Sequence, residues 1–172
     1  MADFYGGSRQ NLCSATMINL FVYPYKFCCL SNTQRLLLCE ALLFLVLAKI
    51  AINVLPFNQL LKLLGRTHVK AQRQGIEREI QCKNVVWAVN CITNNMPLKF
   101  VCFPRGISVK TMLALRNIET TLYYGVSRIQ TEKLSAHVWV MDGVKGVIGF
   151  DIAQDYVILF LVPPIKQVVP NS

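Results

Sequence analysis

Cys102 and His137 are the residues of this sequence whose types and surroundings could do covalent chemistry. Cys102 stands in Val101-Cys102-Phe103-Pro104-Arg105-Gly106, where Phe100 and Val101 end an extended or loop segment and Val109, Met112 and Leu113 recur at helical spacing. Pro104 suits a first helical turn, whose N–H groups lack partners in any case. The thiol is therefore expected at or near a helix N-cap. There the positive end of the helix dipole and unpaired backbone N–H groups lower its pKa from about 8.5 and offer donors to a developing oxyanion. Arg105, one turn along, adds positive charge. The competing reading is an inert buried cysteine that happens to precede a helix.

A nucleophilic thiol needs an imidazole to take its proton and a third polar group to orient that imidazole. Ala136-His137-Val138-Trp139-Val140-Met141 reads as a strand carrying one of the two histidines, and Asp142 and Asp151 both follow it. The other histidine, His68, lies in the polar, basic stretch Thr67 to Gln74 and reads as a solvated surface residue. A lone histidine in an apolar strand is also compatible with a purely structural role.

The elements that must position this pair are helices first and strands afterwards. Met1 to Thr16 shows no period and is expected to be mobile, and Met17 to Leu30 reads as an extended arm around Pro24. Ser31-Asn32-Thr33-Gln34 is a helix-start signal for a very apolar helix over Leu36 to Leu55. Glu40, Lys49 and Asn53 interrupt it, and Ala41 to Ala48 is too short to span a bilayer, so a buried or interfacial helix is expected, with membrane-surface attachment left open. Pro56 ends it, Phe57, Leu60, Leu61 and Leu64 form a second amphipathic set, and Gly65 stops that one. Glu77 to Asn94 predicts a helix with Ile80, Val85, Val86, Val89 and Ile92 on one face. After the cysteine helix, Asn117 suits a left-handed cap. Strands are then predicted over Thr120 to Ser127, Ser135 to Met141, Val144 to Phe150 and Tyr156 to Val162, with a turn around Gln130 to Lys133 and another at Asp142-Gly143. Such an order predicts an α+β fold, with N-terminal helices followed by a small antiparallel sheet and the cysteine helix packed on the sheet that carries His137.

With 172 residues, 53% of them hydrophobic, the chain can bury one sizeable core. Eighteen Lys and Arg against nine Asp and Glu give a net charge of +9, which favours an acidic peptide, a membrane surface or nucleic acid as partner. The basic residues are scattered, and no zinc-knuckle spacing, aromatic-interleaved basic motif or recognition-helix pattern supports nucleic acid. Seven cysteines, an odd number in largely apolar surroundings, read as reduced thiols of a cytoplasmic protein. Cys28-Cys29 with so few histidines does not suggest a metal site.

On these residues the chain resembles the lasso-peptide leader peptidases, the protease half of the split B protein, within the transglutaminase-like cysteine protease group. The resemblance runs from about Thr33 to Pro164. It is carried by Val54-Leu55-Pro56-Phe57 with Leu63-Leu64-Gly65-Arg66, by Cys102-Phe103-Pro104-Arg105-Gly106, by Tyr124-Gly125-Val126, by Ala136-His137-Val138-Trp139-Val140 with Asp142-Gly143, and by Val147-Ile148-Gly149. It implies an N-terminal arm and leucine-rich helical region over 1–74, and over 75–172 a transglutaminase-like cysteine protease domain with a papain-like core. Carried over position by position, Cys102 becomes the nucleophile and His137 the general base. Gly149 falls in the column where the family has an aspartate. Asp151, two positions on, is therefore favoured as third member over Asp142, whose Asp-Gly pair has a turn-forming reason of its own, and over a pair with no acid at all. Asn117 replaces a usual glycine, and Leu98 stands where many relatives have tryptophan.

The implied reaction is removal of the leader from a ribosomally made lasso-peptide precursor. No cofactor or metal is implied. The implied partners are the precursor leader peptide, a separate leader-binding protein and the lasso cyclase. Two other readings stay open: a transglutaminase-like acyltransferase using the same pair, and a non-catalytic scaffold in the same pathway.

Overall fold

The structure, a computed structural model, describes residues 30–65, 75–95, 102–127 and 135–162. The expectations for Met1 to Thr16, for most of Met17 to Leu30, for Thr67 to Gln74 with His68, for Leu98 and for the turn around Gln130 to Lys133 lie outside those residues.

Among the described residues, four helices precede a four-stranded antiparallel sheet. The first, α1 (Asn32–Val54), is opened by a capping box in which the Ser31 hydroxyl accepts from the Gln34 N–H while the Gln34 side chain accepts from the Ser31 N–H. Leu38, Ala41, Leu45 and Ala48, spaced three or four apart, bury one face of it against α3 and α4. Leu36, Leu43, Leu47, Ile50 and Val54 are exposed. By length and composition alone α1 could cross a membrane, with a mean hydropathy of 2.2 over its most apolar window. Its buried face nevertheless belongs to the protein core. Glu40, which interrupts the apolar run, is tied by both carboxylate oxygens to the Arg116 guanidinium at 2.7 and 2.6 Å.

Pro56 separates α1 from α2 (Phe57–Gly65), whose Leu60 and Leu64 point inward. In α3 (Ile76–Asn95) the buried face is Cys82, Val85, Val86 and Val89, with Ala88 and Cys91 beside it. Ile80, expected on that face, is 49% exposed. It lies two residues before Cys82, about 200° around the helix, so it cannot share the face. The cysteines also need correction. Cys39, Cys82 and Cys102 are free, but Cys91 is disulfide-bonded. A disulfide is as apolar as a buried thiol, so apolar surroundings did not separate the two states, and the cysteine count carries no argument for a compartment.

Helix α4 (Cys102–Leu115) ends in a Schellman motif. The Ile118 N–H reaches the Leu113 carbonyl, the Asn117 N–H reaches that of Ala114, and Asn117 takes φ 57°. The strands follow as β1 (Thr121–Ser127), β2 (Ala136–Asp142), β3 (Lys145–Ile148) and β4 (Tyr156–Val162), in the spatial order β3-β2-β1-β4. Gly143 has φ 59° at the first position of the two-residue turn joining β2 to β3, a conformation that L side chains resist. β3 is shorter than expected because Gly149 turns at φ 70°, and the last β2–β3 pair is Val140 with Ile148. Among the described residues, the part of β2 from Ala136 to Val138 therefore has a strand neighbour on its β1 side only.

α4 packs across β1 and β2, and its Ile107, Val109, Met112 and Leu113 share one buried core with Leu122, Val138 and Val140. The closest approach is at Gly106, where an added Cβ would lie 2.6 Å from Val138 Cγ1. An aromatic cluster of Phe57, Phe103, Tyr124 and Phe160, with centroids 4.6 to 6.2 Å apart, joins α2, the start of α4 and the far strands. Arg78 of α3 clamps Asp142 at the end of β2, its Nε donating at 2.8 Å, and also donates to the Glu119 carbonyl.

Two outcomes test this account. Gly106→Ala gains about 1 kcal/mol in helix propensity but is overpacked by roughly 1–3 kcal/mol. A net loss of stability in denaturant titration, with slower alkylation of Cys102, is expected, and a variant of unchanged stability and reactivity would refute the close approach. The second concerns Lys110, 3% exposed, whose Nζ donates to the Thr120 carbonyl at 2.6 Å. Burial lowers its pKa from 10.5 to about 8, with Glu119 opposing. Between those values the unfolded chain holds the proton that the folded protein releases. Stability should then rise with pH through this window, by at most about 1.4 kcal/mol per pH unit. Lys110→Met should flatten the rise, and an unaltered slope counts against it.

Candidate active site

Cys102 is the first residue of α4, so its thiol sits at the helix N-terminus. With Gly106 against Val138, that terminus meets the stretch of β2 beyond the end of β3. The Cys102 Sγ lies 3.7 Å from the Ala136 carbonyl oxygen. The backbone N–H groups of Val138 and Phe103 and the His137 side chain lie near enough to act on its charge. Helix and strand thus bring Cys102 and His137 together in one cleft.

The imidazole is held from its other side by a backbone group. His137 Nε2 lies 2.7 Å from the Gly149 carbonyl oxygen. A carbonyl only accepts, so Nε2 carries the hydrogen and Nδ1 is the nitrogen left to face sulfur. The ring is further packed by Trp139, 6.1 Å away and nearly parallel, and by Tyr156 at 5.2 Å. Trp139 in turn stacks on Tyr123 at 5.6 Å, and its ring lies over Gly125, where a Cβ would come within 3.0 Å of it.

Opposing effects set the charge of the pair. Burial is the largest single influence on Cys102 and pushes its pKa up. The hydrogen bond and charge of His137, with the Val138 and Phe103 N–H groups, outweigh burial and bring the thiol below its ordinary value. For His137 the Cys102 hydrogen bond is largest and raises the pKa. The Gly149 carbonyl and the charge of Cys102 add to it, while burial and the Arg105 guanidinium oppose. Each partner therefore favours the charged form of the other.

The two side chains open on a cleft of about 230 Å³ that is also lined by Arg105, Asn90, Gly149 and Asp151. The structure does not bring the Asp151 carboxylate to the imidazole. Asp151 is exposed on the cleft's edge, and the position beside Nε2 is filled by the Gly149 carbonyl. Asp142 is engaged by Arg78 at the opposite end of β2. No side-chain pattern announces the Gly149 contact, because every residue has a carbonyl. Its one sequence signal is the glycine itself, which permits the turn. Asn90, whose amide oxygen accepts from Arg105 at 2.7 Å, was missed for a different reason: it lies on the preceding helix among residues that read as ordinary helical surface.

The family model described as the transglutaminase-like superfamily matches residues 43–160. No curated protein and no solved structure matches the chain. The matched span begins inside α1, ends inside β4, and contains the whole cleft. A match covering well over half of the sequence makes this chain a member of the transglutaminase-like superfamily.

Proposed function

We propose that this protein is a cysteine peptidase that removes the leader from a ribosomally made lasso-peptide precursor, as its resemblance to the leader peptidases implies. The observation that carries the catalytic part is the placing of the Cys102 thiol and His137 on one cleft, each biasing the charge of the other, with the ring's outer N–H committed to Gly149. The particular substrate comes from the resemblance.

In this reading Nδ1 of His137 takes the thiol proton and the Cys102 sulfur attacks the carbonyl at the leader–core junction. The Cys102 backbone N–H, which at a helix start has no partner within the helix, stabilises the oxyanion. Collapse of the tetrahedral intermediate breaks the C–N bond, and the imidazolium passes its proton to the leaving amine of the core. Water, deprotonated by Nδ1, then hydrolyses the thioester, releases the leader carboxylate and restores the thiol. The Gly149 carbonyl orients the ring throughout, in the role expected of Asp151. The leader-binding protein and the cyclase act as separate chains.

Acyl transfer to an amine is the second reading, favoured by the family match, since the same acyl-enzyme serves both reactions. Mass spectrometry of the products separates them, hydrolysis giving a free leader carboxylate and transfer an adduct.

With the cognate precursor and its leader-binding partner, Cys102→Ala and His137→Ala should each lower cleavage by about a thousandfold or more while leaving the fold intact. Asp151→Asn should cost less than about tenfold. Full cleavage by Cys102→Ala would end the peptidase reading, and a thousandfold loss in Asp151→Asn would return the orienting role to the carboxylate.

A pH profile supplies a test that needs no substrate. Iodoacetamide labelling of Cys102 should rise through a midpoint below that of an ordinary thiol, and in His137→Ala the midpoint should move up. Buried Cys82, pushed up to about 12 chiefly by burial, should stay unlabelled in the folded protein. Equal, slow labelling of the free cysteines would favour a scaffold with an inert thiol.

A further inference from the structure

Arg105 is the cleft residue whose bonding is unfinished. It lies one turn after Cys102 on α4, and burial pulls its guanidinium below the ordinary arginine value, with Cys102 opposing. Arg78 and Arg116, two other arginines that bridge elements, are each matched by a carboxylate, Asp142 and Glu40. The side-chain partner of Arg105 is the Asn90 amide oxygen, which accepts one hydrogen bond and neutralises no charge. Its Nε is buried with no hydrogen-bond partner. Asp151 lines the same cleft without forming an ion pair with it.

A guanidinium drawn out of water without a counter-ion is costly, and its planar fork fits a carboxylate in bidentate fashion. Asn90 accepts from one terminal nitrogen and holds the plane, which leaves donors for a ligand. We propose that Arg105, fixed by Asn90, is an anion-binding subsite of the cleft that takes a carboxylate of the bound peptide close to the carbonyl attacked by Cys102. The subsite deepens the peptidase reading and rests on Cys102 being its reactive thiol. It makes the cleft selective for peptides with an acidic side chain or a free carboxyl terminus beside the reacting bond.

The full-length protein can be tested with two small alkylating agents of nearly equal size, iodoacetate and iodoacetamide, which differ in charge. At Cys102 the ratio of the iodoacetate rate to the iodoacetamide rate should exceed that at exposed Cys39 by about tenfold, a factor typical of one hydrogen bond to a charged group. Added salt should reduce it. Arg105→Gln should bring the ratio back to the Cys39 level. Asn90→Asp should do the same with the arginine still present, because a resident carboxylate would occupy the fork. Bromoacetyl-aspartate amide and bromoacetyl-glycine then identify the source of the carboxylate, an acidic side chain or a chain terminus, by which labels Cys102 faster than bromoacetyl-glycine amide.

A Cys102 ratio equal to that of Cys39, or one unchanged in both variants, overturns the subsite while leaving the peptidase reading in place. If neither reagent labels Cys102 ahead of Cys39, the reactive thiol itself fails, and the subsite fails with it.

Discussion

The structure depends on how closely α4 can lie on β2. Gly106 is the point of nearest approach, and a methyl group there would meet Val138 at 2.6 Å. Everything chemical at this end of the molecule follows from that distance. It sets the first residue of the helix beside a stretch of β2 that β3 has already left, so the sulfur can use a strand N–H as well as the Phe103 N–H of its own helix. The hydrophobic side of α4 makes the same approach favourable, with Val109, Met112 and Leu113 fully buried. Core packing and site geometry are therefore one arrangement.

Within this chain the same side chain meets opposite fates. Cys82 is sealed in α3 and lies close to the charges of Asp142 and Arg78. Burial dominates there and takes its pKa to about 12. Cys102 also feels burial as its strongest influence, yet the imidazole and two backbone N–H groups reverse the sign. The difference arises from position on the helix. A mid-helix cysteine has backbone N–H groups already spent on the ladder, whereas one at the first position has them free.

Much of the architecture was legible in the sequence because it is written in periodicity and turn chemistry. Ser31 with Gln34, the break at Pro56, Asn117 and Gly143 each do locally what their types suggest. Tyr156–Val162 matches its expected span, while Ala136–Asp142 starts and ends one residue late. Ile80 shows the limit of an eye-read helical face, since a two-residue offset puts an apolar side chain in solvent. At the cleft, Cys102 and His137 could be picked out by type and by the elements expected around them. The Gly149 carbonyl and the Asn90 amide could not. One is a backbone atom, and the other meets Arg105 only once α3 and α4 are packed together.

The turn at Gly149 also restricts what can stand there. Its φ of 70° suits glycine, and a Cβ there would sit 2.8 Å from the Val138 carbonyl oxygen and 3.1 Å from His137 Nε2. A carboxylate at this position would drive its own first carbon into the Val138 carbonyl and crowd the ring. Glycine here and main-chain support for the histidine therefore go together until the whole turn is rebuilt. Acids written near His137 in this chain are thus a poor guide to how its ring is held.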